Sequence, residues 1–108
     1  IKPGESSLIS CGFSMAIPDG YFGLLASRSG LASKGIALAN GIGVIDSDYR
    51  GEVMVCLRNY SDESFDINSG MRIAQIILMP YDRFNFVETS CLSSTKRDKG
   101  GFGSTGVE

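Results

Sequence analysis

An all-β fold is predicted for this chain, and three observations carry the prediction. From Ile9 to Ile17 apolar residues alternate with small or polar ones. Short apolar runs recur at intervals of about 8–12 residues between turn signals. No window of about ten residues combines caps with a 3.6-residue apolar period.

Taken in order, Ile9, Cys11, Phe13, Met15 and Ile17 form one face of a first strand, and Ser10, Gly12, Ser14 and Ala16 form the other. Pro18-Asp19-Gly20 ends it, because proline sets φ for a turn and glycine accepts positive φ. Tyr21 to Ala26 reads as the returning strand. Ser29 to Ala39 is the best helical candidate, although it contains two glycines. Ile36-Ala37-Leu38-Ala39 and Gly43-Val44-Ile45 are apolar runs separated by Asn40-Gly41, a pair favoured in tight hairpins. Val53 to Leu57 and Ile73 to Met79 are apolar on both faces, which suits strands between two layers or between a layer and a partner subunit. Turns are expected at Asp48 to Gly51, Ser61 to Glu63 and Asn68-Ser69-Gly70. Together these point to a sandwich or jelly-roll barrel. After Val87 the composition turns to Ser, Thr, Gly and Lys, too polar to order itself. Residues 1–87 are therefore the expected core and 88–108 a flexible arm.

The 108 residues, 43% of them hydrophobic, suit one domain that gains from oligomer contacts. With no histidine, imidazole relays and imidazole metal sites are excluded, and any metal is held by oxygen ligands, thiolates or a substrate. A net charge of −2 provides no global field for nucleic acid or an acidic membrane. No apolar run approaches the roughly 18–20 residues of a membrane-spanning helix. Three widely spaced cysteines make neither a disulfide framework nor a zinc site, so an intracellular and first of all cytoplasmic setting is expected, with nuclear or viral origin open.

Four segments carry chemistry. Ala26-Ser27-Arg28-Ser29-Gly30-Leu31-Ala32 puts a guanidinium and a hydroxyl beside a glycine. In Asn40-Gly41-Ile42-Gly43-Val44-Ile45-Asp46-Ser47-Asp48-Tyr49-Arg50-Gly51-Glu52 an apolar hairpin runs into two carboxylates, an aromatic and an arginine. Val44-Ile45 reads as a buried pair, and a carboxylate directly after it is expected to be partly desolvated and able to orient a water as general base. Gly70-Met71-Arg72-Ile73-Ala74-Gln75-Ile76-Ile77 sets Arg72 and Gln75 in an apolar strand, where a charge needs a partner. Arg97-Asp98-Lys99-Gly100-Gly101-Phe102-Gly103-Ser104-Thr105-Gly106 combines phosphate-approaching glycines, donors and an aromatic that can stack on a base. Each has a bland reading as a solvated turn or a Gly/Ser tail when taken alone.

Together, in this order and spacing, they resemble the second to fifth motifs of the trimeric deoxyuridine triphosphatase (dUTPase) family: P-R-S-G-L-A, G-V-I-D-x-D-Y-R-G, G-D-R-I-A-Q and R-x-x-G-G-F-G-S-T-G. The resemblance runs from about Pro18 to Gly106. It implies a distorted jelly-roll barrel, assembled as a homotrimer, whose active sites are each built from three chains. It also implies Mg-assisted hydrolysis of dUTP to dUMP and pyrophosphate, which limits uracil in DNA and supplies dUMP for thymidylate synthesis.

The resemblance further implies residue roles. Asp46 orients the attacking water. Asn40, Gly43, Val44 and Ile45 present backbone groups to uracil, and Tyr49 packs under the deoxyribose. Arg28, Ser29, Gly30 and Gln75 meet the phosphates, while Arg72 supports structure or the trimer axis. Arg97 and Gly101, Phe102, Gly103, Ser104 and Thr105 close over the ligand from a neighbouring chain, with Phe102 on the base. Mg2+ is held mainly by substrate phosphates and water, with no dedicated protein ligands; no nucleic acid or membrane partner is implied. Three departures accompany the likeness. The family's first motif, A-G-Y-D-L, is absent, so a short front section is expected before Ile1; Ser27 stands for the usual proline; and Met71 stands for the usual aspartate. Two rival readings are a non-catalytic uracil-nucleotide binding protein and a relative of the dCTP deaminases, which carry a glutamate where Cys56 stands.

Overall fold

The structure, a computed structural model, describes residues 1–106; Val107 and Glu108 of the expected arm lie outside it. It contains β1 (Ser6–Ser14), β2 (Tyr21–Ala26), α1 (Ser29–Ala32), β3 (Ile36–Leu38), β4 (Gly43–Ile45), β5 (Glu52–Asn59) and β6 (Gln75–Pro80). The strands make two antiparallel three-stranded sheets, ordered β1-β5-β3 and β4-β2-β6. Strand alternation on β5 turns Val53, Val55, Leu57 and Asn59 inward. They meet Ile17, Leu25, Ile36, Leu38 and Ile45 to form one core.

Two expected hairpins are instead crossovers. β2 does not return beside β1, because β1 pairs with β5 while β2 pairs with β4 and β6. Ile17, 4% exposed, enters the core between them, and Tyr21 N–H closes the Pro18-Asp19-Gly20 turn on Pro18 O at 3.2 Å. Likewise, the turn through Asn40-Gly41 carries the chain from β3 in one sheet to β4 in the other. An apolar run on either side of a tight turn meets its core requirement equally well by facing its neighbour across the sandwich. The long helical candidate shrinks to α1, with Gly35 at φ +88° between it and β3. β1 carries a bulge between Ser10 and Ser14, where Gly12 sits at φ +78°. Within the bulge Phe13 is exposed, whereas Ile9, Cys11 and Met15 are half-buried and Ile17 is buried.

β6 is exposed along its whole length in the single chain, including Ile76, Ile77, Leu78 and Met79. The chain leaves the sheets after Pro80, seven residues before the compositional change at Val87. Its exit is held to the Pro18–Gly20 turn by Tyr81 N–H on Gly20 O at 3.0 Å and by an exposed Arg83–Asp19 ion pair. Residues from 82 to 99 are exposed, and the radius of gyration is 19.0 Å. A compact chain of this size has about 13 Å, so the excess belongs to the extended segment.

Asn59 is the fully buried polar side chain of the core. Its Nδ2 donates to Ile1 O at 2.8 Å and Glu63 O at 2.7 Å, and its Oδ1 accepts from Ser61 N–H and Oγ–H. Asn59→Asp removes both donors and leaves two carbonyls facing a carboxyl group. Ile1 O keeps Phe65 N–H at 3.0 Å and Glu63 O keeps Ser61 Oγ at 2.9 Å, so the expected loss is about 1–3 kcal/mol in all, read as a lower urea midpoint. A wild-type midpoint for this variant would show that the network contributes nothing.

Candidate functional site

The largest group of sequence-predicted residues converges at the edge of the β4-β2-β6 sheet. Asn40, Gly43, Val44, Ile45, Asp46 and Tyr49, with Leu25, Glu52, Val53 and Met54, line a cleft of about 260 Å3. β4 is three residues long, and its alternation puts Gly43 and Ile45 inward. Val44, 58% exposed, and Asp46 therefore face outward. Val44-Ile45 is thus not a buried pair, and Asp46 is exposed rather than desolvated within the single chain. As an edge strand paired only with β2, β4 has one row of backbone groups without a partner strand.

The Asp46-to-Gly51 loop is held by its own polar groups. Tyr49 N–H donates to Asp46 O at 3.1 Å, and Tyr49 Oη–H donates to Glu52 O at 2.7 Å. Arg50 Nη1 donates to Ser47 O at 2.6 Å and Tyr49 O at 3.1 Å, closing the loop instead of reaching the cleft. The Tyr49 ring lies directly over Gly51, where a Cβ would stand 2.6 Å from Cζ. Gly51 is therefore a site-shaping residue; the sequence marks it as the end of the Asp48 to Gly51 turn and of the D-Y-R-G wording but assigns it no role in the site.

The predicted phosphate residues open elsewhere. Arg28, half-buried, precedes the single turn of α1 with extended backbone (φ −90°, ψ 133°), and Ser29 and Gly30 are exposed. Arg28, Arg72 and Gln75 line a second cavity of about 230 Å3 together with Cys11, Phe13 and Met71. Leu25 and Val53 wall both cavities. Gln75 begins β6 and donates from Nε2 to Ser27 O at 3.0 Å. Arg72 lies before β6 rather than within it and is exposed, so solvent meets its charge and no buried partner is required. Burial and the Glu52 carboxylate raise the Cys11 thiol above its ordinary pKa, which leaves it protonated and a poor nucleophile at neutral pH.

The arm residues are brought together with one another but not with either cavity. Arg97 Nε donates to Gly100 O at 2.7 Å, and Ser104 N–H donates to Gly101 O at 3.0 Å. Arg97, Ser104 and Thr105 border a recess shared with Lys96. Phe102 is fully exposed at φ +35°, and Gly103 follows at +86°. Among the described residues, none beyond Ile76 lines either cavity.

Two packed antiparallel sheets, a cleft with two carboxylates, Asp46 and Glu52, and one tyrosine, and a separate cavity with two arginines and a glutamine define a jelly-roll protein with two polar recesses. The family model for dUTPase matches residues 1–106, and the chain belongs to the dUTPase family. It is 52% identical over 108 residues to a deoxyuridine 5'-triphosphate nucleotidohydrolase from Rickettsia felis, with 99% of this chain and 73% of that protein covered. A second, from Rhizobium leguminosarum bv. trifolii, is 48% identical over 108 residues, covering 99% and 69%. Among solved structures, a mutant Staphylococcus bacteriophage 80alpha dUTPase with dUpNHpp is similar at TM-score 0.87 and 28% identity, covering 99% of this chain and 79% of that one. The dUTPase of Streptococcus mutans is similar at TM-score 0.74 and 28% identity, covering 80% and 73%. The chain is accordingly a dUTP diphosphatase, releasing dUMP and pyrophosphate from dUTP.

Proposed function

We propose that this hydrolysis runs through a water oriented by Asp46, and the observation that carries the reading is the position of that carboxylate. It sits one residue past β4, at the rim of a cleft whose wall is the Asn40–Ile45 backbone. Uracil hydrogen-bonds to that backbone and to Asn40, and the deoxyribose packs on Tyr49. The Tyr49 ring is fixed over Gly51, so it leaves little space for a 2′-hydroxyl. Asp46 accepts a proton as the water attacks the α-phosphorus, and the bond to the β-phosphate breaks with pyrophosphate as leaving group. Arg28, Ser29, Gly30 and Gln75 neutralise the phosphates, and Arg97 with Gly101 to Thr105 closes over them. Among the described residues no three His, Cys, Asp or Glu side chains converge. Mg2+ carried on the triphosphate would keep most of its water and take its anionic partners from the phosphates. When bound there, the ion supplies charge neutralisation to the leaving pyrophosphate.

Assembly as a homotrimer completes the site. Three observations support this: β6 exposes four consecutive large apolar side chains, the nucleoside and phosphate residues of one chain face different cavities, and the arm meets neither. A cleft of 260 Å3 is also just below the roughly 300 Å3 at which small-molecule sites begin. Free Cys11, Cys56 and Cys91 suit a reducing cytoplasmic setting. Among the described residues no helix is long and apolar enough to cross a membrane.

Incubation with dUTP or dCTP and Mg2+, assayed for pyrophosphate, dUMP and ammonia, tests the reaction. Pyrophosphate from dUTP alone is expected; ammonia from dCTP, or dUTP binding without product, would displace this reading. Gly51→Ala is expected to shift the Tyr49 ring and lower kcat/KM for dUTP on the order of 10²-fold. An unchanged kcat/KM would mean that the ring is not held by this approach.

A further inference from the structure

Besides Asp46, the cleft carries a second carboxylate, Glu52, that takes no part in the hydrolysis proposed above. Glu52 opens β5 where its pairing with β1 breaks step. Ser10 stands opposite Met54 and Ser14 opposite Glu52, so four steps along β1 face two along β5. Such a bulge interrupts the ladder and leaves residues of the longer strand unpaired. A side-chain bond spans the gap: the Ser10 hydroxyl donates to Glu52 Oε1, while its oxygen accepts Gly12 N–H at 3.3 Å. Glu52 is in turn the residue whose backbone carbonyl accepts Tyr49 Oη–H at 2.7 Å. The Tyr49 ring thus rests on Gly51 and is tied at its tip to a residue that β1 holds. Tyr49 and Glu52 both line the same cleft, so the whole relay acts within one site.

We propose that Ser10 and Glu52 are positioning residues that set how deep the Tyr49 ring sits in the cleft, and with it the preference for deoxyribose over ribose. The role rests on the assignment of Tyr49 to the sugar. Ser10 does not line the cleft, so it acts only through Glu52. Its hydroxyl fixes the carboxylate, the Glu52 main chain follows its own side chain, and the ring tip follows the carbonyl. Without the tie, the bulged strand lets Glu52 and the ring tip drift together, and a displacement of about 1 Å is enough to spoil a positioned contact. A drifted ring supports the deoxyribose less and leaves room for a 2′-hydroxyl. The sugar contact exists in the ground state and the transition state alike, so the loss falls on KM and selectivity more than on kcat.

The full chain is used for the test, with dUTP and UTP as the probes. Ser10→Ala is expected to raise KM for dUTP about fivefold with kcat changed by less than about twofold, and to lower the kcat/KM preference for dUTP over UTP by about the same factor. Ser10→Thr keeps the hydroxyl and should keep wild-type KM and preference. Glu52→Ala should match Ser10→Ala, and the double variant should lose no more than either single one, because all three break the same tie. Unchanged KM in Ser10→Ala, a raised KM with the preference intact, equal losses in the Ala and Thr variants, or losses that multiply in the double variant would each overturn the proposal. Tyr49→Ala separates the two levels of argument. An undiminished preference in that variant would remove the sugar assignment and this role with it, whereas loss there with an unimpaired Ser10→Ala would remove the role alone.

Discussion

Asp46→Asn should lower kcat for dUTP on the order of 10³-fold while leaving affinity for the imido analogue dUpNHpp within a few-fold. The two side chains have the same shape, and Asp46 is exposed at the end of β4 with its backbone carbonyl, not its carboxylate, engaged by Tyr49. The substitution therefore costs little stability. What it removes is the proton acceptor: an amide can orient a water by accepting a hydrogen bond but cannot take its proton at neutral pH. A rate that survives within a few-fold would mean that another group activates the water. Loss of analogue binding in parallel with rate would instead make Asp46 a binding residue.

Deleting residues 97–108 should leave a folded oligomer and lower kcat/KM on the order of 10²–10³-fold. Among the described residues, every buried hydrophobic residue of the core lies between Ile17 and Leu57, so removing 97–106 touches no core contact. Arg97, Ser104 and Thr105 carry a charge and two hydroxyls, and Phe102 exposes its whole ring in the single chain. These groups repay their ordering only when a ligand or another chain meets them. Unchanged thermal unfolding with depressed turnover is the expected pair of results. Undiminished turnover would make the segment a passive tail, and loss of the folded oligomer would make it part of the scaffold. Phe102→Ala in the full chain should fall between wild type and deletion.

Most strands could be placed from their residues because the cues are local. Tyr21 to Ala26 was read with the bounds that β2 has, and Gly43-Val44-Ile45 is β4. Valines and leucine two apart in Val53 to Leu57 mark the inward face of β5. Such features depend on side-chain period and on proline and glycine sterics, which act within a few residues. The wording of the four motifs is local too, and it carries the resemblance to the dUTPase family by itself.

Pairing is another matter. Whether Tyr21–Ala26 lies beside β1 or crosses to β4 and β6 depends on competition among distant strands for edges and core volume, which no short window contains. The same holds for the exposure of Asp46, set by where β4 lies against β2, and for the separation of Asn40–Tyr49 from Arg28 and Gln75 by the shared wall of Leu25 and Val53. Ser27 reads as a bland turn residue until Leu38 N–H and Gln75 Nε2 arrive from 11 and 48 positions away. Amino-acid order thus specified the strands and the chemical groups. Long-range packing chose their partners, because hydrogen-bond direction and burial are properties of neighbours in space.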